Sequence, residues 1–529
     1  MQTQQTTLKA PLLGGENSLE ISTAAADGVE HSPAVGRHRP PQSSLAGSSS
    51  SAPPRLYRAR WLMLALYSLV SGVNSMVWIS ISSISSIAME YYGVSDATVN
   101  MLPVSFYLIY VPLVPPAVWL LERHGLRPTL LVAASFLAAG CATRAAGVDP
   151  TPGAFGYVLA GNCIISISTP FIFACTTSLG ARWFGPGERG TATAIAVSTN
   201  QLGLVVGFVW PPLAVPPIAA GAGCAASAAA RAACVGATGA AIRTLNEAQA
   251  ALAALALLGV ALLFRSAPPT PPTRAQAAQA AAKGERGGGG GGGGLGVLAQ
   301  LRLDTIAAAM APGMPPLLCC FAFAVSSYWT LSVLLNETLT AKGFTARQIM
   351  LPGALLLALG LPGMLYVGAL LDRTRAYRRT VRRLGAAVVA LMVAFSLALQ
   401  VLPHGDATLA LVAAICSCLG FVFSALQPAL LELAAELTYP LSENISCSLV
   451  FLGAQFSGCA FVYAAEALET KVQLAGKPVG SMVRANWFFT CAIVAGLAAF
   501  VLGPRGKLKR CAAEEEHSSG TAGGRGGAV

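Results

Sequence analysis

Four side chains able to recognise a ligand sit at comparable depth inside long apolar runs: Trp78, Gln201, Trp329 and Gln455. An indole face attracts a soft cation, quaternary ammonium being the best-attested guest. A carboxamide offers donors and an acceptor to a hydroxyl. Left unpaired in hydrocarbon it is costly, so each Gln needs either a ligand or a neighbouring helix. Asn74 and Asn200 raise the same question and are candidates for the same cavity. The chemistry on offer is recognition of a small organic cation with a polar end, as choline has. No Asp, Glu, Lys or Arg lies at that depth: Glu432 and Glu436 fall near one helix end, Glu337 and Glu466 near the opposite ones. With no nucleophile–base set in the runs, an enzyme is not expected. The five histidines, His31, His38, His124, His404 and His517, stand in tails or loops, so neither a metal site nor a cofactor is expected.

The elements that position these residues are membrane helices. Of 529 residues, 54% are hydrophobic and 11% charged, against roughly 25% charged in a soluble domain. Apolar runs of about 20 residues suffice to span a bilayer. They recur at 60–88, 99–121, 129–147, 154–180, 190–214, 248–264, 312–338, 348–371, 384–402, 408–433, 443–467 and 485–503. The reading is an all-α polytopic membrane protein of twelve transmembrane helices.

The net charge of +11 orients the chain and does not call for nucleic acid. Basic residues gather in alternate loops: Arg58 and Arg60, Arg123 and Arg127, Arg182 and Arg189, Lys283 and Arg286, then Arg373 to Arg383. The intervening loops are poorer, with Arg144, Arg231 and Arg243, Lys342 and Arg347. Positive-inside bias then puts both termini in the cytoplasm. Residues 1–56 are rich in Ser, Pro, Gly and Gln and read as a disordered tail, and 505–529 as a second cytoplasmic tail. Most of the thirteen cysteines fall in apolar runs, while Cys224 and Cys234 share one external loop and are candidates for a disulfide. Asn336-Glu337-Thr338 is an external glycosylation candidate.

Residues 266–303 run from Pro-rich through Ala-rich to a glycine tract and read as a flexible cytoplasmic linker. Six runs precede it (57–265) and six follow it (304–504), and the halves resemble each other. Glu122-Arg123 and Asp372-Arg373 are 250 residues apart, Trp78 and Trp329 are 251 apart, and Gln201 and Gln455 are 254 apart. Two pseudo-symmetric six-helix bundles around a midplane site describe the major facilitator fold. Facilitator proteins carry a G-x-x-x-D/E-R-x-G signature that acts as a cytoplasmic latch. Glu122, Arg123 and Arg127 in "ERHGLR" fit it well, whereas Asp372 and Arg373 lack the later glycine.

Longer strings carry a more specific likeness. "RARWLMLALYSLVSGVNSMVWISISSISSIAMEYYGV" (58–94), the segments 110–131 and 182–216, "YWTLSVLLNETL" (328–339) and the segment 436–458 resemble the feline leukaemia virus subgroup C receptor-related family. Members transport choline and ethanolamine, haem export has been assigned to them, and a lysosomal branch handles a vitamin. The resemblance implies an aromatic pair caging an ammonium group and glutamines at the hydroxyl end. Trp78, Gln201 and Gln455 match those positions, while Trp329 stands where the family usually has Tyr. The expected carrier is a monomer of the plasma membrane working by alternating access. With no buried titratable group on the path, facilitated diffusion is expected, with a small-molecule substrate and the lipid bilayer as its partners. Haem, with no mid-membrane histidine to ligate it, is the weaker substrate. A non-transporting receptor on the same scaffold is a further alternative. The Ala- and Gly-rich stretch at 217–248 departs from the family and reads as a loop.

Overall fold

A computed structural model describes residues 57–185, 188–218, 227–270, 302–303, 305–374, 376–439, 441, 443–474, 477–504 and 506. The expected tails and linker lie almost wholly outside the described residues. Span one is α1 (Ala59–Ser80), a single 3₁₀ turn (Ser82–Ile84) and α2 (Ser85–Tyr92). Spans two to six are α3 (Asp96–His124), α4 (Leu126–Ala145), α5 (Pro152–Trp183), α6 (Arg189–Ala214) and α7 (Ala228–Leu263). In the second half, span seven is α8 (Met314–Thr340) and span eight is broken into α9 (Ala346–Ala358) and α10 (Gly360–Thr374). Spans nine to twelve are α11 (Tyr377–Val401), α12 (Asp406–Thr438), α13 (Glu443–Ala467) and α14 (Val483–Leu502). Among the described residues these make twelve candidate spans. One addition to the helices is a two-stranded antiparallel hairpin, β1 (Thr470–Leu474) with β2 (Lys477–Ser481), between α13 and α14.

Local chemistry sets the helix ends. Ser95, Thr151 and Ser227 each accept a backbone N–H of the first turn they cap. Thr345 and Gln348 form a reciprocal capping box at the start of α9. Gly125, at φ 87°, makes the tight α3–α4 turn that few side chains would tolerate.

The two bundles repeat one packing scheme. In the first, α1 packs on α6 and α7, α3 and α4 on α5, and α4 on α7. In the second, α8 packs on α13 and α14, α9, α10 and α11 on α12, and α11 on α14. The halves meet through exchanged pairs, α6 with α9 and α3 with α13, and through α8 against the 3₁₀ turn. Apart from these rows of packed apolar side chains, close backbone approach holds the helices: Gly203 lies on Gly72, and Gly420 lies on the Leu356 carbonyl.

At the end of the bundle away from the chain termini the seam is tight. Asn336 Nδ2 donates to the Ser83 carbonyl at 2.8 Å, and Ser85 Oγ donates to Asn336 Oδ1 at 3.2 Å. Phe208 of α6 fills the space beside Gly353 of α9, leaving no room for a side chain there. The Tyr463 hydroxyl points at the sulfur of Met101, 3.8 Å away.

Several expectations change. Residues 228–247 form the first turns of α7 and not a loop, because Ala is the best helix former and outweighs the scattered glycines. Cys234 lies on that helix and is disulfide-bonded, while Cys224 lies outside the described residues. Arg144, expected in a loop, is 1% exposed and donates to the Val77 carbonyl and to Ser80 Oγ (3.2 and 2.8 Å), tying α4 to α1. Asn336, expected as an external glycosylation candidate, is fully buried and hydrogen-bonded across the seam.

Candidate substrate chamber

Trp78 and Trp329 come from opposite halves and meet around a third ring. Trp78 of α1 is edge-on to Phe106 and Tyr107 of α3, each 6.5 Å away between centroids. Trp329 of α8 is nearly parallel to Tyr107, at 6.3 Å and 13°. It is also nearly parallel to Phe451 of α13, at 6.4 Å and 6°. Both indoles remain partly exposed, whereas Tyr107 is buried. Gly458 of α13 lets the Tyr107 ring approach, since a Cβ there would sit 3.2 Å from it.

Gln455 belongs to the same wall. Phe451, Gln455 and Gly458 are spaced to share one face of α13, and the flanking pair touch Trp329 and Tyr107. Gln455 is 5% exposed and its Oε1 has no hydrogen-bond partner. The Tyr107 hydroxyl lies beside that of Thr330, but neither oxygen has a partner of good geometry.

Gln201, its counterpart in the first half, is directed elsewhere. Its Nε2 donates to the Leu357 carbonyl at 2.9 Å, in the last turn of α9 where carbonyls lack helical partners. Tyr328, Gly360 and Ser424 surround it, so it closes the seam at the break in span eight. The two asparagines are helix-to-helix bonds within the first half. Asn74 Nδ2 donates to Ser168 Oγ (2.8 Å) and its Oδ1 accepts from Thr169. Asn200 donates to Ser71 and Ser75. Of the expected residues, then, Trp78, Trp329 and Gln455 come together at one aromatic cluster where the halves meet, while Gln201, Asn74 and Asn200 are hydrogen-bonded between helices.

The latch residues are at the terminus-side helix ends. Glu122 and Arg182 lie close enough to interact electrostatically. Arg123 lies over the Trp119 ring at 5.9 Å. Arg127 donates to the Ala261 carbonyl at 2.8 Å, capping the end of α7. Arg373 is exposed, and the Asp372 side chain lies outside the described residues.

Sequence reasoning missed Tyr107, Phe451 and Thr330, and it also missed the enclosure of Glu337. That carboxylate, expected at a helix end open to water, is 6% exposed with Oε2 unpartnered, near Asn100, Asp96, Glu466 and Glu469. A mid-run hydroxyl was the available signal for Tyr107 and Thr330, and a carboxylate beside an Asn for Glu337.

The Major Facilitator Superfamily profile matches residues 66–462. The choline/ethanolamine transporter flvcr2a of Danio rerio is 33% identical over 426 residues, 80% of this chain and 83% of that one. The chain belongs to the feline leukaemia virus subgroup C receptor-related family. The human choline/ethanolamine transporter FLVCR2 is 35% identical over 164 residues, 31% of each chain. Among solved structures, a bacterial homologue of the human lysosomal transporter Spinster, inward-facing and occupied, superposes with a TM-score of 0.58 at 14% identity. The superposition covers 85% of this chain and 97% of that one. A D-xylose–proton symporter gives 0.56 at 13% identity, over 84% and 98%. These likenesses show the fold. The protein is a multi-pass membrane transporter with twelve helices in two six-helix bundles.

Proposed function

We propose that this transporter carries a small organic cation of the choline and ethanolamine class by alternating access. The observation that carries the reading is one aromatic array, Trp78 and Trp329 from opposite halves joined through Tyr107 at the seam. A guest held there touches both halves at once, so rocking the halves moves its exposure from one side to the other. Ring faces attract an ammonium at about 0.5–2 kcal/mol each, and Gln455 beside them can accept from an N–H or O–H of the guest. The relatives' names point to the same class.

Basic loops on the terminus side support an orientation with both termini, the linker at 266–303 and the latch residues Glu122, Arg123, Arg127, Asp372 and Arg373 in the cytoplasm. The plasma membrane is the membrane proposed and a monomer the working unit. A membrane potential drives a cation inward by about 2.3 kcal/mol per charge per 100 mV, which favours facilitated diffusion. Haem is less favoured, since no histidine lies in the middle of a span to ligate the iron, His124 being the last residue of α3.

Uptake of labelled choline and ethanolamine into liposomes holding the purified chain tests the reading. Flux is expected for both. Binding without flux would make the protein a receptor for the cation, and absence of both would remove the proposal. Trp78→Ala is expected to raise the dissociation constant about tenfold, from loss of about 1–2 kcal/mol of cation–π attraction. Unchanged affinity in a folded variant would take Trp78 out of the site.

A further inference from the structure

Three polar atoms at the aromatic cluster have no partner of good geometry: the Tyr107 hydroxyl, the Thr330 hydroxyl beside it, and Gln455 Oε1. Each residue is nine-tenths or more buried, at 1%, 0% and 5% exposure. They come from α3, α8 and α13, which converge on the seam. Buried oxygens without partners are rare and destabilising, and several at one place mark a position where a polar guest completes the bonding. Buried amides such as Asn74, Gln201 and Asn336 are paired. Asn246, Gln249 and Asn486 elsewhere also lack partners, but the three oxygens here stand beside the aromatic array shared by the two halves.

The atoms also say what kind of guest. All three are oxygens able to accept, and Gln455 Oε1 can do nothing else. The complementary guest therefore brings N–H or O–H donors. A protonated primary amine brings three on its charged end. Choline brings one, its hydroxyl. A tetraalkylammonium brings none and is left with the aromatic faces alone. We propose that Tyr107, Thr330 and Gln455 form a donor-reading pole that selects hydrogen-bearing ammonium over fully alkylated ammonium. Tyr107 is then a specificity-determining residue, using its ring to join the two tryptophans and its hydroxyl to read the guest. This inference rests on the organic-cation reading above.

The test measures dissociation constants of ethanolamine, choline and tetramethylammonium on the purified full chain, with Tyr107→Phe and Thr330→Val beside the unsubstituted protein. In each variant the ratio of the ethanolamine constant to the tetramethylammonium constant is expected to rise about tenfold, equivalent to about 1.4 kcal/mol. The choline ratio is expected to rise less, by about threefold. Both substitutions keep shape, and thermal unfolding of each checks that it folds. Should one fail to fold, the other reads the same ratio. Ratios within twofold of the unsubstituted protein, or equal weakening of all three cations, overturn the donor-reading pole while leaving the cation reading intact. An unsubstituted protein that binds none of the three overturns both.

Discussion

Gln201 and Gln455 occupy matching places in the two halves, 254 residues apart, yet they have opposite fates. Gln201 Nε2 is bonded to the Leu357 carbonyl across the seam, and Gln455 Oε1 is buried with nothing bonded to it. The difference follows from the helix each one faces. Span eight is interrupted between Ala358 and Gly360, which frees carbonyls for Gln201. Span two, facing Gln455, is the helix α3, which presents the Tyr107 ring at that contact and no donor to the amide oxygen. One amide of the repeat fastens the break in span eight, and the other keeps an acceptor that nothing in the protein satisfies.

Substituting both glutamines breaks the comparison if it is wrong. Gln201→Ala strands the Leu357 carbonyl in a buried seam, at a cost of about 1–3 kcal/mol to the conformation in which that seam is closed. Transport is expected to fall at least tenfold while the affinity for ethanolamine changes less than threefold. An affinity loss matching the transport loss would make Gln201 a ligand contact. Gln455→Ala is expected to do the reverse, weakening ethanolamine about fivefold and tetramethylammonium by less than twofold. It should leave thermal stability unchanged, since no intramolecular bond of Oε1 is lost. Equal weakening of both cations would give Gln455 a structural role.

Much of the architecture is legible in the sequence because span length and hydropathy are set by the bilayer. Eleven of the twelve expected runs start within ten residues of the helices observed, and α7 alone starts some twenty residues earlier. The repeat is legible too, since Trp78 and Trp329 do meet one ring. What the sequence leaves open is the partner of each polar group. Asn200 and Gln201 are adjacent, yet the helical turn of about 100° between them sends one to α1 and the other to α9. Tyr107 was hidden because the repeat marks no matching tyrosine in the second half. Arg144 was assigned to water because it stands at a span end, where an arginine can snorkel out or, as here, fold back onto carbonyls left by α1.

The smallest effect concerns the seam opposite the termini. Glu337 sits one residue beyond Asn336, whose bonds to Ser83 and Ser85 close that seam, and it faces Asp96 of α3 and Glu466 of α13. Closure therefore brings carboxylates of three helices together around Asn100, and their repulsion opposes the hydrogen bonds beside them. A seam that must reopen in every transport cycle is suited by such a balance, because a fully satisfied closure would trap the carrier. Glu337→Gln keeps the shape, adds a donor and cannot ionise against the neighbouring carboxyls. Backbone amides over 93–100 and 338–346 are then expected to exchange about threefold more slowly, equivalent to about 0.7 kcal/mol toward the closed seam. Faster exchange in Glu337→Gln would mean that the carboxylate holds the seam shut, and Glu337 would then join Gln201 as a fastening.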